Sequence, residues 1–294
     1  MKYLYYPGCS LKSSAAELEK SALAVAGLLG IELTEISKWY CCGVLHGLAV
    51  DSEVYMVASA RNLSKTQALA KELNAPQELI TICPMCDNTL KLVNMSLKSD
   101  QDKRDKVNKF MDTEEPYKGE VKVVHILELL KELSKKQPME KYVKRSLNGL
   151  KVAPYYGCML LRPREISFVD PNNPEIFEMM INSAGGTCIS YPKRDECCGS
   201  YQTAVSKELA LRKSSEILSS AKEWDADLMV TTCPLCHFNL KLCKEELQRR
   251  ERRRLIPVLY ITELLCYAFG LDEALTDDSK ALINELLKSE VYAN

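Results

Sequence analysis

The 294-residue chain lacks a surplus of either charge: 39 basic and 40 acidic residues leave it at −1. Nothing in that total favours a nucleic acid or an acidic surface as partner. No run approaches the roughly 18 apolar residues of a spanning helix, so membrane insertion is not expected. The start, MKYLYYPGCS, has no apolar stretch long enough for a secretory signal, and a cytoplasmic location is the expectation. No GxGxxG or phosphate loop is found, which argues against nucleotide binding. Aromatic residues are modest at 7%, yet 46% hydrophobic and 27% charged residues describe a globular protein with a sizeable core and exclude a disordered chain.

What is abundant is cysteine, with 13 residues. A chain of this size needs no disulfides to compensate for a small core, and in a reducing compartment such a set is more often metal-binding or catalytic than bridged.

The cysteines repeat. YLYYPGC, ending at Cys9, matches VAPYYGC, ending at Cys158; CCG at Cys41 and Cys42 matches CCG at Cys197 and Cys198; CPMC at Cys83 and Cys86 matches CPLC at Cys233 and Cys236. VHILELL around His125 mirrors LYITELL around Tyr260, at a shorter offset because the first half carries a charged insertion over Lys98–Gly119, read as a solvated helix or loop. The chain is therefore expected to form two tandem domains, 1–147 and 148–294, with the join near Lys141–Gly149.

Each half alternates β-rich and helical patterns. Residues 2–6, 79–82, 151–156 and 228–232 read as strands. Leu18, Ala22, Val25, Ala26 and Leu29 form a helical stripe, with Ser14 and Glu17 spaced as a capping box, and Gly185 with Gly186 suits a helix end. The expected class is α/β: two domains related by a pseudo-twofold axis, each a small sheet flanked by helices. Cys9, Cys83, Cys158 and Cys233 then fall at carboxyl ends of strands, where α/β sheets place their sites. Pro84 and Pro234 suit a first helical turn, whose free N–H groups favour a thiolate on Cys86 and Cys236.

Each half thus offers five thiols, spaced Cys-x31-Cys-Cys-x40-Cys-x2-Cys and Cys-x38-Cys-Cys-x34-Cys-x2-Cys. Structural zinc closes with four ligands and leaves the fifth unexplained. Inert buried cysteines would not repeat in register. Thiolate-held iron–sulfur clusters fit best, and five thiolates, two of them adjacent and facing different ways, point to an unusual open cluster in each half. Gly43 and Gly199 are read as allowing close backbone approach. Cys188, Cys243 and Cys266 have no counterparts and read as core residues.

These doubled motifs resemble the CCG-domain family of cysteine-rich iron–sulfur proteins, and in particular its members that form the B subunit of heterodisulfide reductase. The resemblance covers nearly the whole chain. It implies two noncubane [4Fe-4S] clusters, one on Cys9, Cys41, Cys42, Cys83 and Cys86, the other on Cys158, Cys197, Cys198, Cys233 and Cys236. The implied reaction is reduction of the coenzyme M–coenzyme B heterodisulfide of methanogenesis to two thiols, by one-electron steps at the two clusters. The implied partners are the other two heterodisulfide reductase polypeptides, the A subunit with flavin and iron–sulfur centres and the C subunit with iron–sulfur clusters. The x40 gap is longer than the family pattern and is expected to lengthen the Glu72–Leu79 turn or to move the CPMC arm. The same motifs also allow an electron-relay subunit of a succinate-, glycolate- or lactate-oxidising complex, and a zinc-bearing assembly platform stands as a third class.

Family substrates carry anionic groups, so Arg162, Arg164, Lys193 and Arg194 are candidate substrate contacts, against the plainer reading of surface salt bridges. His237 and His46 are candidate proton donors, against packing roles, and His125 reads as structural. QRRERRR at 248–254 reads as a solvated helix end or a docking face, and ALINELLKSE as an amphipathic helix lying on its own core.

Overall fold

A computed structural model of the chain describes residues 1–44, 52–112, 115–251 and 255–291. Packing divides it into two compact units, 1–19 with 26–130, and 20–25 with 131–294. The class is α/β as expected, with two parallel sheets of four strands each.

The first unit's sheet contains β1 (Lys2–Tyr6), β2 (Glu32–Glu35), β3 (Glu78–Thr81) and β4 (Lys122–His125) in the order β2-β1-β3-β4. Its helices are α1 (Ala16–Leu28, shared between the two units), α2 (Val57–Glu72), α3 (Pro84–Ser99), α4 (Gln101–Lys109) and the start of α5 (Ile126–Ser134). The second sheet has β5 (Lys151–Pro154), β6 (Thr187–Cys188), β7 (Leu228–Thr231) and β8 (Val258–Tyr260) in the order β6-β5-β7-β8. With it come α6 (Ile176–Ser183), a single turn α7 (Gln202–Val205), α8 (Lys207–Glu223), α9 (Pro234–Glu251), α10 (Ile261–Phe269) and α11 (Asp277–Val291).

The patterns that suggested these elements are the ones buried. Leu18, Ala22, Val25, Ala26 and Leu29 of the α1 stripe are inside, as are Leu79 and Ile80 of β3 and all of β7. Parallel strands covered on both faces need such continuous apolar runs. In both sheets the order reverses between the first and third strands in sequence, and the crevice beyond their carboxyl ends is the switch point where doubly wound sheets bind ligands.

Some boundaries differ from expectation. β5 stops at Pro154: the Tyr155 amide makes a last bond to the Val230 carbonyl of β7, and Tyr156 and Gly157 then both donate to the Arg194 carbonyl. α1 begins at Ala16, one residue later than a Ser14 cap would set it. The charged insertion contains α4, capped by Asp100 accepting from the Lys103 amide. The longer first-half gap does not sit in the Glu72–Leu79 turn, where residues 73–77 separate helix from strand against 224–227 in the second half. The extra length lies between Cys42 and Val57, residues 43–56, against 199–206 before α8. The CPMC arm consequently keeps its place at the end of β3. Cys188 lies within β6, opposite Val152, and burial raises its pKa to about 12. Cys243 donates to the Leu211 carbonyl and Cys266 to the Ser21 carbonyl, both in the core.

Candidate metal centres

Five thiols gather at the carboxyl end of each sheet, joined in the same order in both halves. In the first, Cys41 Sγ lies 3.7 Å from Cys9 Sγ and Cys42 Sγ 3.5 Å from Cys86 Sγ, while hydrogen bonds link Cys41 to Cys42 and Cys86 to Cys83. In the second, Cys158 bonds Cys197, Cys197 bonds Cys198, Cys198 Sγ stands 3.6 Å from Cys236 Sγ, and Cys236 bonds Cys233. The adjacent cysteines do face different ways: the first of each pair meets the cysteine after the first strand, and the second meets the helix cysteine. Cys42, Cys83, Cys86, Cys198, Cys233 and Cys236 are buried, Cys158 is half-buried, and Cys9, Cys41 and Cys197 are exposed.

Local backbone chemistry explains why these thiols can carry charge. The amides of Gly43 and Val44 bond the sulfurs of Cys41 and Cys42, and those of Gly199 and Ser200 bond Cys197 and Cys198. All four of these residues have positive φ: 78° at Gly43, 55° at Val44, 98° at Gly199 and 47° at Ser200. Successive amides turned this way form an anion-binding nest of the kind found at iron–sulfur sites. Glycine therefore serves conformation at position 43, where a Cβ would meet nothing within 4 Å among the described residues; of the two, Gly199, with Ala210 Cα 2.8 Å from its would-be Cβ, also serves close approach. Cys233 precedes α9, and the first-turn amides of Leu235 and Cys236 bond its sulfur.

The thiols share protons within each group. Hydrogen bonds from Cys41 and Cys86 hold Cys42 well below the ordinary thiol range, and those from Cys158 and Cys198 do the same for Cys197. Cys41, Cys86 and Cys158 are pushed up, first by their thiol–thiol bonds and then by burial. Buried phenols behind each group, Tyr6 and Tyr155, are raised chiefly by desolvation.

The donor set suits an iron–sulfur cluster: soft thiolates, amide nests, and room kept by glycine, since a Cβ at Gly8 would stand 2.9 Å from Cys86 Sγ and one at Gly157 3.2 Å from Cys236 Sγ. Among the described residues no group of three or more His, Cys, Asp or Glu is arranged around a single ion. Thiols spread as pairs over a cradle suit a group of several irons better than one tetrahedral zinc.

The remaining candidates are placed as follows. Arg162 pairs with Asp195 at 3.1 Å, Lys193 with Glu196 and Glu216, and Arg194 with Glu178, so these three cations stand in salt bridges. The Arg164 side chain is exposed, on a single 3-10 turn after Cys158, with no ion pair among the described residues. His237 stacks on Tyr260 with centroids 4.2 Å apart and bonds the Val258 backbone; burial lowers its pKa to about 4. His125 Nε2 faces the Ile82 carbonyl at 2.8 Å and Nδ1 accepts from the Leu127 amide, a neutral ring inside the core. His46 lies outside the described residues. Arg249 and Arg250 of the basic run pair with Glu246 at the end of α9, and residues 252–254 are likewise outside the described residues.

Sequence reading missed three groups. Asn239, one turn after Cys236, donates to the Cys198 carbonyl and sulfur, each at 3.4 Å, and to the Ser200 carbonyl at 2.9 Å. In the first half, position 87 after Cys86 holds a buried Asp, accepting from Thr81 at 2.9 Å and paired with Lys91 at 3.0 Å. A cavity of about 260 Å³ opens beside Cys197, lined by Gly199, Ser200, Tyr201, Leu209 and Lys213 among others. The register of the repeat sets Asn239 against Thr89 and Asp87 against His237, so the two halves differ there and repetition could not flag either residue; nothing in the linear pattern points to the cavity.

The chain belongs to the CCG cysteine-rich domain family, whose pattern matches residues 3–91 and again 152–241. Relatives align over nearly its whole length. It is 33% identical to the 8-methylmenaquinol:fumarate reductase membrane anchor subunit of Wolinella succinogenes, covering 92% of this chain and 93% of that one. It is 28% identical to a protein of Archaeoglobus profundus described as like the B subunit of heterodisulfide reductase (92% of each chain). It is 24% identical to the B subunit of the ferredoxin/F(420)H(2)-dependent CoB-CoM heterodisulfide reductase of Methanosarcina acetivorans (99% and 97%). A crystal structure of a hypothetical protein from Helicobacter pylori shares the fold at a TM-score of 0.67 and 13% identity; the match takes in 92% of this chain and spans about half, 49%, of that one. Among the described residues no helix is long and apolar enough to cross a membrane.

Proposed function

We propose that this chain is an electron-transferring iron–sulfur subunit of an oxidoreductase complex, holding one noncubane [4Fe-4S] cluster in each of its halves, 1–147 and 148–294. The ligands are Cys9, Cys41, Cys42, Cys83 and Cys86 in the first, and Cys158, Cys197, Cys198, Cys233 and Cys236 in the second. The observation that carries this reading is the twice-repeated gathering of five thiols in one contact order. Bound clusters would supply one-electron steps. The protein's share is to gather the sulfurs, aim the Gly43–Val44 and Gly199–Ser200 amides at them, and bury the inner three of each five so that water is kept off.

A relay role draws support from the Wolinella relative, whose name places it in a fumarate reductase. A second reading is catalysis of coenzyme M–coenzyme B heterodisulfide reduction in a complex with the A and C polypeptides of such a reductase. It draws support from the archaeal relatives of that name and from both motifs being complete. Splitting a disulfide to two thiols takes two electrons and two protons; two one-electron clusters match the electron count, and the protons come from solvent. Cytoplasmic residence belongs to both readings.

Anaerobic purification with iron and sulfide quantitation and Mössbauer spectra tests the clusters; colourless, iron-free protein overturns them. Disulfide-dependent reoxidation of a reduced viologen dye by the isolated chain decides between the readings, since a pure relay leaves the dye reduced.

A further inference from the structure

Besides its glycine, the motif before each first cysteine repeats a tyrosine at the same place, Tyr6 and Tyr155, and both are fully buried. Tyr6 donates its hydroxyl to the Tyr40 carbonyl at 2.8 Å, and Tyr155 donates to the Glu196 carbonyl at 2.7 Å. Tyr40 and Glu196 immediately precede the two Cys-Cys pairs. At the other end of each pair, Ser59 on α2 donates to the Cys42 carbonyl and Ser214 on α8 to the Cys198 carbonyl, both at 3.1 Å. The auxiliary bonds differ: Asn62 adds to Tyr40 in the first half, and Asn239 to Cys198 in the second. The tyrosine and serine bonds recur.

We propose that Tyr6 with Ser59, and Tyr155 with Ser214, are positioning residues for the metal centres, clamping the peptides on either side of each Cys-Cys pair so that both sulfurs face the cradle. This rests on the reading that the cysteines hold iron–sulfur clusters. The pair sits outside every strand and helix, with the next two residues in the left-handed region, so no ladder bonds hold its shape. Two side-chain donors take their place, a tyrosine at or one residue past the end of the first strand of each half and a serine on a helix. The tyrosine rings also lie against Gly8 and Gly157, 3.4 and 3.7 Å from the would-be Cβ positions, so each links the floor of the cradle to its Cys-Cys rim. Both phenols act as donors to carbonyls, which makes them supports and not ligands.

The test is iron release from the full chain, purified anaerobically and challenged with a ferrous chelator. Tyr6→Phe and Tyr155→Phe each keep the ring and remove the donor. Each variant is expected to lose half of its iron about tenfold faster than wild type, the other half being unaltered, since one hydrogen bond to a fixed acceptor is removed. The Mössbauer or EPR signature of the affected centre should shift while circular dichroism stays unchanged. Tyr5→Phe is the control: its hydroxyl bonds Glu19 at 3.0 Å, away from the pair, and it should release iron as wild type does. Wild-type release rates in both test variants, or equal acceleration in Tyr5→Phe, would overturn the clamp. Should a tyrosine variant fail to fold, Ser59→Ala and Ser214→Ala carry the same expectation and the same refutation. Iron-free wild type overturns the cluster reading itself; iron-loaded wild type with unaltered variants overturns the clamp alone.

Discussion

Cys42 and Cys86, forty-four residues apart in sequence, bring their sulfurs to 3.5 Å inside the first unit, and Cys198 with Cys236 repeats the pairing at 3.6 Å in the second. The contact joins the loop after one strand to the helix after another, so it exists only when the sheet and its crossover helices have formed. It also makes each half's inner thiols dependent on one another.

Cys42→Ser should therefore remove the first centre alone. Iron and acid-labile sulfide per chain are expected to fall to about half of wild type, and Cys198→Ser to remove the other half. Loss of all iron from either variant would mean that the two centres do not assemble independently.

The two loop glycines should respond unequally to a methyl group. Gly43→Ala is expected to meet the backbone cost of a positive φ, roughly 1 kcal/mol, because among the described residues nothing lies within 4 Å of the new Cβ. Gly199→Ala adds a 2.8 Å approach to Ala210 Cα, which is backbone and cannot swing aside, and should cost about 3 kcal/mol or more. Denaturation midpoints of the two variants, measured side by side, check the order.

His125 makes stability depend on pH. Burial, helped by Lys91, holds its pKa down to about 3, while in the unfolded chain it titrates near the ordinary 6.5. The unfolded state alone gains a proton as pH falls through 6.5, so stability is full above that value and is lost on acidification until pH about 3. The slope is about 1.4 kcal/mol per pH unit, or about 2 kcal/mol between pH 6.5 and 5. His125→Gln should be less stable at pH 7, because a buried pair of hydrogen bonds is disturbed, yet show a flatter decline over that range in chemical denaturation. An unchanged slope would mean that His125 is accessible to protons in the fold.

Lys91 neutralises Asp87, whose carboxyl pKa is raised by desolvation and drawn back by Lys91 and Thr81. Lys91→Met leaves that carboxyl buried with Thr81 alone and should cost about 3 kcal/mol, whereas the double variant Asp87→Leu/Lys91→Met should regain much of it. A double-mutant cycle from urea unfolding gives the coupling, and additive costs would show that the pair contributes nothing.

Much of the site is legible before any fold is known. CPMC and CPLC after apolar runs place Cys83 and Cys233 just past strand ends, because the chain leaves a strand where its β-rich run stops, and the proline that follows opens the helix carrying Cys86 or Cys236. The register of the repeat then carries each assignment from one half to the other. The cations beside the cysteines were not legible in this way. Arg162, Lys193 and Arg194 left two readings open, substrate contacts or surface salt bridges; their reach brings them to Asp195, Glu196 and Glu178, and which carboxylate each meets has no linear signature. The extra residues of the first half were misplaced for a similar reason, since a gap length says nothing about where along it the helix begins.

By itself, the order of residues determined that there are two halves, that each is α/β, and that the same ten cysteines stand at corresponding places, because period, strand propensity and glycine–proline punctuation are local properties of a chain. Which sulfur meets which, which amides turn toward them, and that Tyr6 and Ser59 hold the loop between them were decided only by tertiary structure. Those contacts join segments separated by tens of residues, and only the parallel sheet brings such segments to one edge.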